Sequence, residues 1–348
     1  VHCYYIGGDG RTAIGTLTLT EVEAGAENPF GPDSTGWEAL VAETACPTVF
    51  LSPWWISAWH EVFGSEARHR VIHVRDGDEL VGVAPLLELG ESLVLAGDPD
   101  LFDYQDIVAV KGRELEVIQA LLDYLVDVPN WKTFDLPSVP GDSPTLQAIT
   151  TAAEGKGYRV GRTESAVAPA AELPKSWDDF LAALPKKHRH ELRRKIRKLE
   201  AAGEVRQVIV SEVQGLEEQV EDFLRLMGNT NEEKAAFLTP DRRQFFHRLA
   251  AEAAKRGALK LSFLELDGSR LAACLIFDFA GVYLLYNSGY DPARSDLSVG
   301  LINKAFAVRE AIETGRHRFD FLKGAERYKY SLGGQDRAIY RILVTRPQ

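Results

Sequence analysis

The sequence says nearly the same thing twice, once in each half. Phe134-Asp135-Leu136 in WKTFDLPSV recurs as Phe319-Asp320-Phe321 in HRFDFLKG. The turn Asp76-Gly77 in VIHVRDGDELVGVAPL recurs as Asp267-Gly268 in LSFLELDGSRLAACLIF. The order matches too: a helical stretch, a two-strand hairpin, a strand ending in GDP or GYDP, a helix, then the short Phe-Asp strand. Four landmarks in one order imply two copies of a single mixed α/β unit, with function where one copy has what the other lacks.

At 348 residues the chain can hold two domains, each burying its own core. A hydrophobic share of 45% and a charged share of 26% are those of a globular protein. The net charge of -11 argues against a general nucleic-acid binder, although it leaves room for a local basic patch. Cys3, Cys46 and Cys274 are widely spaced, with no ligand-type pairing, so reduced thiols in a cytoplasmic protein and no metal site are expected. The opening VHCYYIGGDGRTAIG lacks the basic-then-apolar pattern of a secretory signal. The most apolar stretch, LAACLIFDFAGVYLLY, alternates like sheet and is broken by Asp278 and Gly281, so no membrane span is expected.

Periodicity places one strand in TAIGTLTLTEV and a helix over 52–63, with Ser52 as cap and Pro53 at its first position. Strands follow near 69–75, 79–89 and 92–96, a helix over 113–126, the Phe134 strand, and a helix over 145–156. The joint holds a helix near Trp177 and, after Pro185, a strongly basic helix over 186–202. The second copy then supplies helices near 216–227 and 240–255, strands at 259–266, 271–279 and 282–288, a helix over 299–314, and strands at 318–322 and 338–344. The domains are expected at 1–170 and 171–348.

Four segments can carry chemistry. In LLYNSGYDPARSDLSVGLINKAF a strand runs through a polar loop into a helix whose first N–H groups and dipole suit a pyrophosphate. Tyr290, Arg294, Ser298, Val299, Gly300 and Asn303 are the cofactor candidates there, with Arg294 as cationic fork, Ser298 as cap and Gly300 allowing close approach. An ordinary capped helix would give much of the same pattern. In PKKHRHELRRKIRKLEAAG, Arg189, Arg193 and Arg194 are candidates to face phosphates of a substrate, and a merely solvated basic face accounts for the helix equally well. In FDFLKGAERYKYSLGG, Asp320, Lys323, Glu326, Tyr328 and Lys329 follow a strand end and include the base, acid and oxyanion-stabilising types that acyl transfer needs. In the first copy, Tyr104 and Asp106 alternate after a Gly-Asp-Pro turn and are candidate acceptor-binding groups. Trp55 and Trp59 at helical spacing read as core. No GxSxG, HExxH, GxxxxGKS/T or GxGxxG is present, which removes the common hydrolase, zincin, P-loop and Rossmann readings.

The segments FLSPWWISAWHEVFG, DYQDIV, KKHRHELRRKIRKLEAAG, LELDGSRLAACLIF, YNSGYDPARSDLSVG and FDFLKGAERYKYSLGG resemble GNAT-superfamily proteins of the cellulose- or exopolysaccharide-biosynthesis acetyltransferase (CelD-like) family, and more distantly the Fem peptidyltransferases. The resemblance runs from about Phe50 to the end. It implies an α/β (α+β) fold that is a tandem duplication of a GNAT-type domain, with the donor side in the second copy. It implies acetyl-CoA or another acyl-CoA as co-substrate and a saccharide, peptide-like or cell-envelope amine or hydroxyl as acceptor. Fem-type relatives use aminoacyl-tRNA instead, and tRNA is a partner only under that alternative; a non-catalytic binding module is the other. By resemblance the 294–300 loop matches the cofactor loop, Arg189 and Arg193 the basic helix, and Lys329 the lysine of a YK-x-x-x-G signature. Where the family often has Arg-Gly this chain has Lys323-Gly324, a point charge in place of a bidentate fork. With no Cys or Ser beside a His base, direct attack is expected, with Glu326 or Asp320 as base and Tyr328 as acid.

Overall fold

The computed structural model describes residues 11–14, 17–22, 30, 35–64 and 68–347. Cys3 and the Gly-rich opening lie outside them. The chain starts with β1 (Arg11–Ile14) and β2 (Leu17–Val22), paired antiparallel where one strand was expected. Then come α1 (Thr35–Ala42), a 3-10 turn at Val49–Leu51, α2 (Pro53–Phe63), β3 (Arg68–Asp76), β4 (Glu79–Leu89), β5 (Ser92–Leu95) and β6 (Val108–Ala109). The half closes with α3 (Glu114–Val126), β7 (Thr133–Pro140), α4 (Thr145–Glu154) and β8 (Arg159–Val167). The second half supplies β9 (Ala170–Glu172), α5 (Trp177–Ala183), α6 (Lys186–Glu200), β10 (Val205–Val210), α7 (Leu216–Thr230), α8 (Glu232–Phe237) and α9 (Pro240–Lys255). It continues through β11 (Leu259–Leu266), β12 (Ser269–Phe279), β13 (Val282–Tyr290), a 3-10 turn at Pro292–Leu297, α10 (Val299–Glu313), β14 (Arg318–Asp320), α11 (Arg327–Ser331) and β15 (Ala338–Thr345).

Two units result: Val1–Ala166 with Arg337–Gln348, and Val167–Asp336. The single cut at 170 therefore needs a correction, because β15, expected in a domain of 171–348, pairs with β7 in the first sheet. Its inward residues explain the placement: Ile339, Ile342 and Val344 are buried, the last two within the core of the first unit, and Arg341 forks onto Asp135 of β7. The first sheet runs β1-β2-β3-β4-β5-β7-β15-β8 and the second β10-β11-β12-β13-β14-β9. Both are mixed, and each contains a parallel pair: β5 with β7, and β13 with β14.

The two sheets differ in size, nine strands against six, but share a common set of strands: a hairpin, β3-β4 or β11-β12, followed by a parallel pair. Leu93 faces Phe134 across the first parallel pair, and Tyr283 faces Phe319 across the second, so the two Phe-Asp strands are equivalent. The hairpins agree even in their irregularity, since each carries a register shift just after the second pair from the turn, between Val74/Arg75 and between Leu264/Glu265. The Asp-Gly landmarks themselves are offset by one residue. Asp76 pairs with Glu79, so the first turn is Gly77-Asp78, whereas Leu266 pairs with Ser269 and the second turn is Asp267-Gly268. The positive φ falls on Gly77 (58°) in one and on Asp267 and Gly268 (49° and 77°) in the other, two solutions to the same two-residue hairpin.

Helices bury one stripe against each sheet. In α3 the buried Val117, Ile118, Leu121, Leu122 and Leu125 recur at helical spacing and meet Leu146, Ile149 and Ala153 of α4. In the second unit α10 sends Ala305, Val308 and Ile312 to one cluster with Tyr283 and Phe319, and Val299, Ile302 and Phe306 to another with Leu264 and Leu199. Pro53 and Pro240 open their helices, the second capped by Thr239, whose hydroxyl accepts from the Arg242 N–H. No helix among the described residues is long and apolar enough to cross a membrane.

Candidate active site in the second unit

The site begins with where strand pairing stops. β13 pairs with β14 only from Val282 to Leu284, then continues to Tyr290 with β12 alone at its side. A register shift between Leu275 and Ile276 opposite β13 leaves Tyr286 as the extra residue, just before Asn287 and Ser288. Strand backbone left unpaired this way must find other partners. The Lys234 ammonium supplies one, donating to the Asn287 side-chain oxygen at 3.1 Å and to the Ser288 carbonyl. Lys234 is held there by α8, whose cap Asn231 accepts from the Lys234 N–H at 2.8 Å.

A second lysine joins it from α10. Lys304 is 7% exposed, donates to the Gly300 carbonyl at 3.1 Å and lies 4.8 Å above the Tyr328 ring. Burial lowers the pKa of both ammonium groups, Lys234 to about 8, and the nearby Lys304 charge pushes Lys234 further the same way. Glu326 and Cys274 act in the opposite sense on both. The cluster therefore holds two cations with weakened protons beside a carboxylate, an aromatic face and the open end of a strand. Such a set can exchange a proton near neutrality and stabilise an anionic oxygen.

Beneath it lies a spent polar network. Asn303 is fully buried, its amide donating to the Ser262 carbonyl and to the Cys274 sulfur. The Cys274 thiol is itself buried, and that burial raises its pKa, so it is a poor nucleophile.

Most sequence candidates sit in this unit, in roles that differ from those expected. Lys329, expected to face a ligand, is 1% exposed; its ammonium donates to the Leu322, Lys323 and Gly324 carbonyls at 2.9, 2.7 and 2.9 Å and pairs with Glu326 at 2.9 Å. It ties together a loop whose Leu322 and Gly324 take positive φ (58° and 111°), so three successive carbonyls curl round one charge. Asp320 is 2% exposed and accepts from the Leu322 N–H at 2.8 Å, holding the same turn rather than facing solvent as a base. In that loop Glu326 is exposed and Lys323 half-buried, and Tyr328 lies under Lys304.

In the segment 290–303, expected to hold a cofactor, Asn303 and Val299 are buried in the core. Ser298 occupies the cap position of α10 with φ 57° and makes no side-chain capping bond, contrary to expectation. A Cβ on Gly300 would lie 3.0 Å from the Tyr290 ring, so the missing side chain makes room for Tyr290. Arg294 is partly exposed, and its guanidinium has no carboxylate partner among the described residues. Arg193 and Arg194 are exposed on α6, while Arg189 donates to the Ala182 carbonyl at 3.0 Å.

The first unit treats its matching strand end differently. β5 and β7 also part after three pairs, but Gln105 closes the fork. Its backbone N–H donates to Ser138 of β7 at 2.9 Å, and its side-chain amide to Leu95 and Ala96 at 3.3 and 3.2 Å. Tyr104 and Asp106, expected to meet an acceptor, are both buried. Tyr104 packs on Phe50 at 5.9 Å, and Asp106 accepts from Ser143 at 2.5 Å, while burial pushes its carboxyl up to about 6. Trp55 and Trp59 are core, as expected.

Lys234, Lys304 and Asn287 are the functional candidates that sequence reasoning missed. Lys304 left one signal, a lone charge inside the apolar run LINKAFAV; Lys234 left none. Among the described residues no group of three or more His, Cys, Asp or Glu could hold a metal ion.

A profile for the Acetyltransferase (GNAT) domain matches residues 186–330. No curated protein matches this chain. Among solved structures the chain is similar to FemX, at 14% identity and TM-score 0.66 over 88% of this chain and 95% of that one. It is similar to the C-terminal domain of a putative lysylphosphatidylglycerol synthetase from Agrobacterium fabrum, at 10% identity and TM-score 0.54 over 83% and 90%. It is similar also to a tandem GNAT protein from the clavulanic acid biosynthesis pathway, at 11% identity and TM-score 0.50 over 95% and 99%. The architecture is thus a duplicated GNAT-type α/β domain, two mixed sheets each flanked by helices.

Proposed function

We propose that the second unit transfers an acyl group to an amine or hydroxyl of a saccharide or other cell-envelope precursor, and that the group arrives as an aminoacyl ester on tRNA. The Lys234–Lys304 pair at the open end of β13, at a place where the first unit has Gln105, carries the reading. The likeness to FemX along most of both chains supports it, as does the likeness to a protein whose name describes making an aminoacylated lipid.

The acceptor nitrogen or oxygen attacks the ester carbonyl directly, forming the new bond while the carbonyl electrons move onto oxygen. Protonated Lys304, desolvated and held over Tyr328, stabilises that oxyanion. Lys234, with a pKa of about 8, takes the acceptor proton in its neutral form and returns it to the leaving ribose oxygen as the intermediate collapses. Glu326 partly offsets the desolvation of both ammonium groups, and Lys329 and Asp320 hold the loop that carries Glu326. The buried, high-pKa thiol of Cys274 argues against an acyl-enzyme.

A second reading has acetyl-CoA or another acyl-CoA as donor, favoured by Arg294 before α10, which has no carboxylate partner among the described residues, and by the acetyltransferase profile over 186–330. The test supplies a panel of saccharide and cell-envelope acceptors with either aminoacyl-tRNA or acyl-CoA and follows acyl product. Release of deacylated tRNA with product, lost in Lys304→Met, is expected. Free thiol with product and inert aminoacyl-tRNA would replace the donor by CoA. No acyl product with either donor would leave a binding module.

A further inference from the structure

The helix α6 carries eight Lys or Arg and two Glu in a chain whose net charge is -11. Only part of this charge is neutralised inside the protein. Lys195 pairs with Glu191 at 3.1 Å, Lys198 pairs with Asp296 at 3.3 Å, and Arg189 is used on the Ala182 carbonyl. Lys186, Lys187, Arg193, Arg194 and Arg197 are exposed and make no ion pair among the described residues. At 100° per residue they and His190 fall within about a third of the helix circumference, a stripe about 16 Å long from Lys186 to Arg197. Leu192 and Leu199 are buried, and Ile196 packs on the core, so the helix is anchored by its opposite side.

Like charges lined up without counter-ions cost free energy through mutual repulsion, and a polyanion relieves it. A lipid surface would ask for apolar side chains beside the cations, as interfacial helices bury an apolar face. The apolar residues of α6 face inward, and the large exposed hydrophobic residues, Leu89, Leu115, Val126 and Val213, all lie elsewhere. A phosphate backbone asks only for spaced cations. At the far end of the stripe, Lys198 donates to the Asp296 carbonyl at 2.7 Å, fixing α6 to the turn that carries Arg294 and leads into α10.

We infer that the exposed stripe of α6 is a docking rail for the sugar-phosphate backbone of an RNA stem, leading toward the Arg294 turn of the same unit. This rests on the aminoacyl-tRNA reading above, and the experiment separates the two. The full chain and a Lys186→Gln/Arg193→Gln/Arg197→Gln variant are titrated with a fluorescent RNA hairpin and with unacylated tRNA across a salt series, and with vesicles containing phosphatidylglycerol. The variant is expected to bind RNA at least about tenfold more weakly at low salt, its log affinity against log salt being shallower by about three. Aminoacyl transfer from a short aminoacyl-dinucleotide, which has no stem, is expected to survive in the variant. Equal RNA affinity in both proteins overturns the rail, and so does binding to anionic vesicles with none to RNA. Stripe-dependent RNA binding without any transfer would sink the catalytic reading alone.

Discussion

The side-chain amide of Gln105 donates to the Leu95 carbonyl oxygen at 3.3 Å, across the fork where two parallel strands part. The same amide reaches Ala96, and Gly97, at φ 134°, leaves the space: a Cβ there would lie 3.0 Å from the Gln105 side-chain nitrogen and 2.9 Å from the Phe102 ring. The first unit is thereby sealed with its own chain. Gln105→Met keeps the length and removes the donors, leaving strand carbonyls without partners. A loss of about 1 to 3 kcal/mol in urea unfolding is expected. An unchanged midpoint would mean that Gln105 does not hold the fork.

Lys304→Met and Lys234→Met separate charge from packing. Replacing a buried ammonium by an apolar chain of similar length is expected to leave stability level or higher, because a desolvation cost disappears. Transfer is expected to fall by about a hundredfold or more in Lys304→Met, the loss of one oxyanion donor. Product formation measured beside the melting temperature checks both. Full activity in Lys304→Met would move the oxyanion site elsewhere.

Lys234 also sets a pH dependence. With a folded pKa near 8 against 10.5 unperturbed, the neutral base grows in as pH rises through about 8, so the wild-type rate should climb there and Lys234→Met should lose that limb. The unfolded chain holds more protons on this residue between those two values, so its destabilising contribution is full below about 8 and relaxes as pH rises toward 10.5. Rate profiles and unfolding midpoints across that range measure the two effects.

Lys329→Ala is expected to lower stability and turnover together. It deletes an ammonium that binds three carbonyls and one carboxylate at 1% exposure, and the cost should be about 3 kcal/mol. Turnover lost with an unchanged melting temperature would restore the direct catalytic role expected from the sequence.

Two desolvated histidines should make the first unit acid-sensitive. Burial lowers the pKa of His69 and of His73 to about 4, helped by His60 and by Arg75 respectively. The His69 ring lies 4.3 Å from that of His60, and neither of its nitrogens has a hydrogen-bond partner among the described residues. Between 6.5 and about 4 the unfolded state binds more protons on both, so their contribution to stability falls as pH drops through that window, while the raised carboxyl of Asp106 acts in the opposite sense below about 6. His69→Phe should flatten part of that fall in urea midpoints; an identical slope would remove His69 as a cause.

Repetition, helix caps and period-two alternation are local properties, and the sequence alone determined their consequences: two copies of one α/β unit, equivalence of Phe134 and Phe319, a helix opening at Pro53, and a basic helix beginning after Pro185. The strand partners of β15 and β9 could not be read that way, because their pairing depends on which strands the folded chain brings beside them. The roles of charged residues were likewise hidden. Lys329 binds a ring of carbonyls made by a left-handed loop, whereas Lys304 lies over the aromatic face of Tyr328. What a lysine does depends on its desolvation and on which donors and acceptors surround it, and only the tertiary structure decided that, because it brings together groups far apart along the chain.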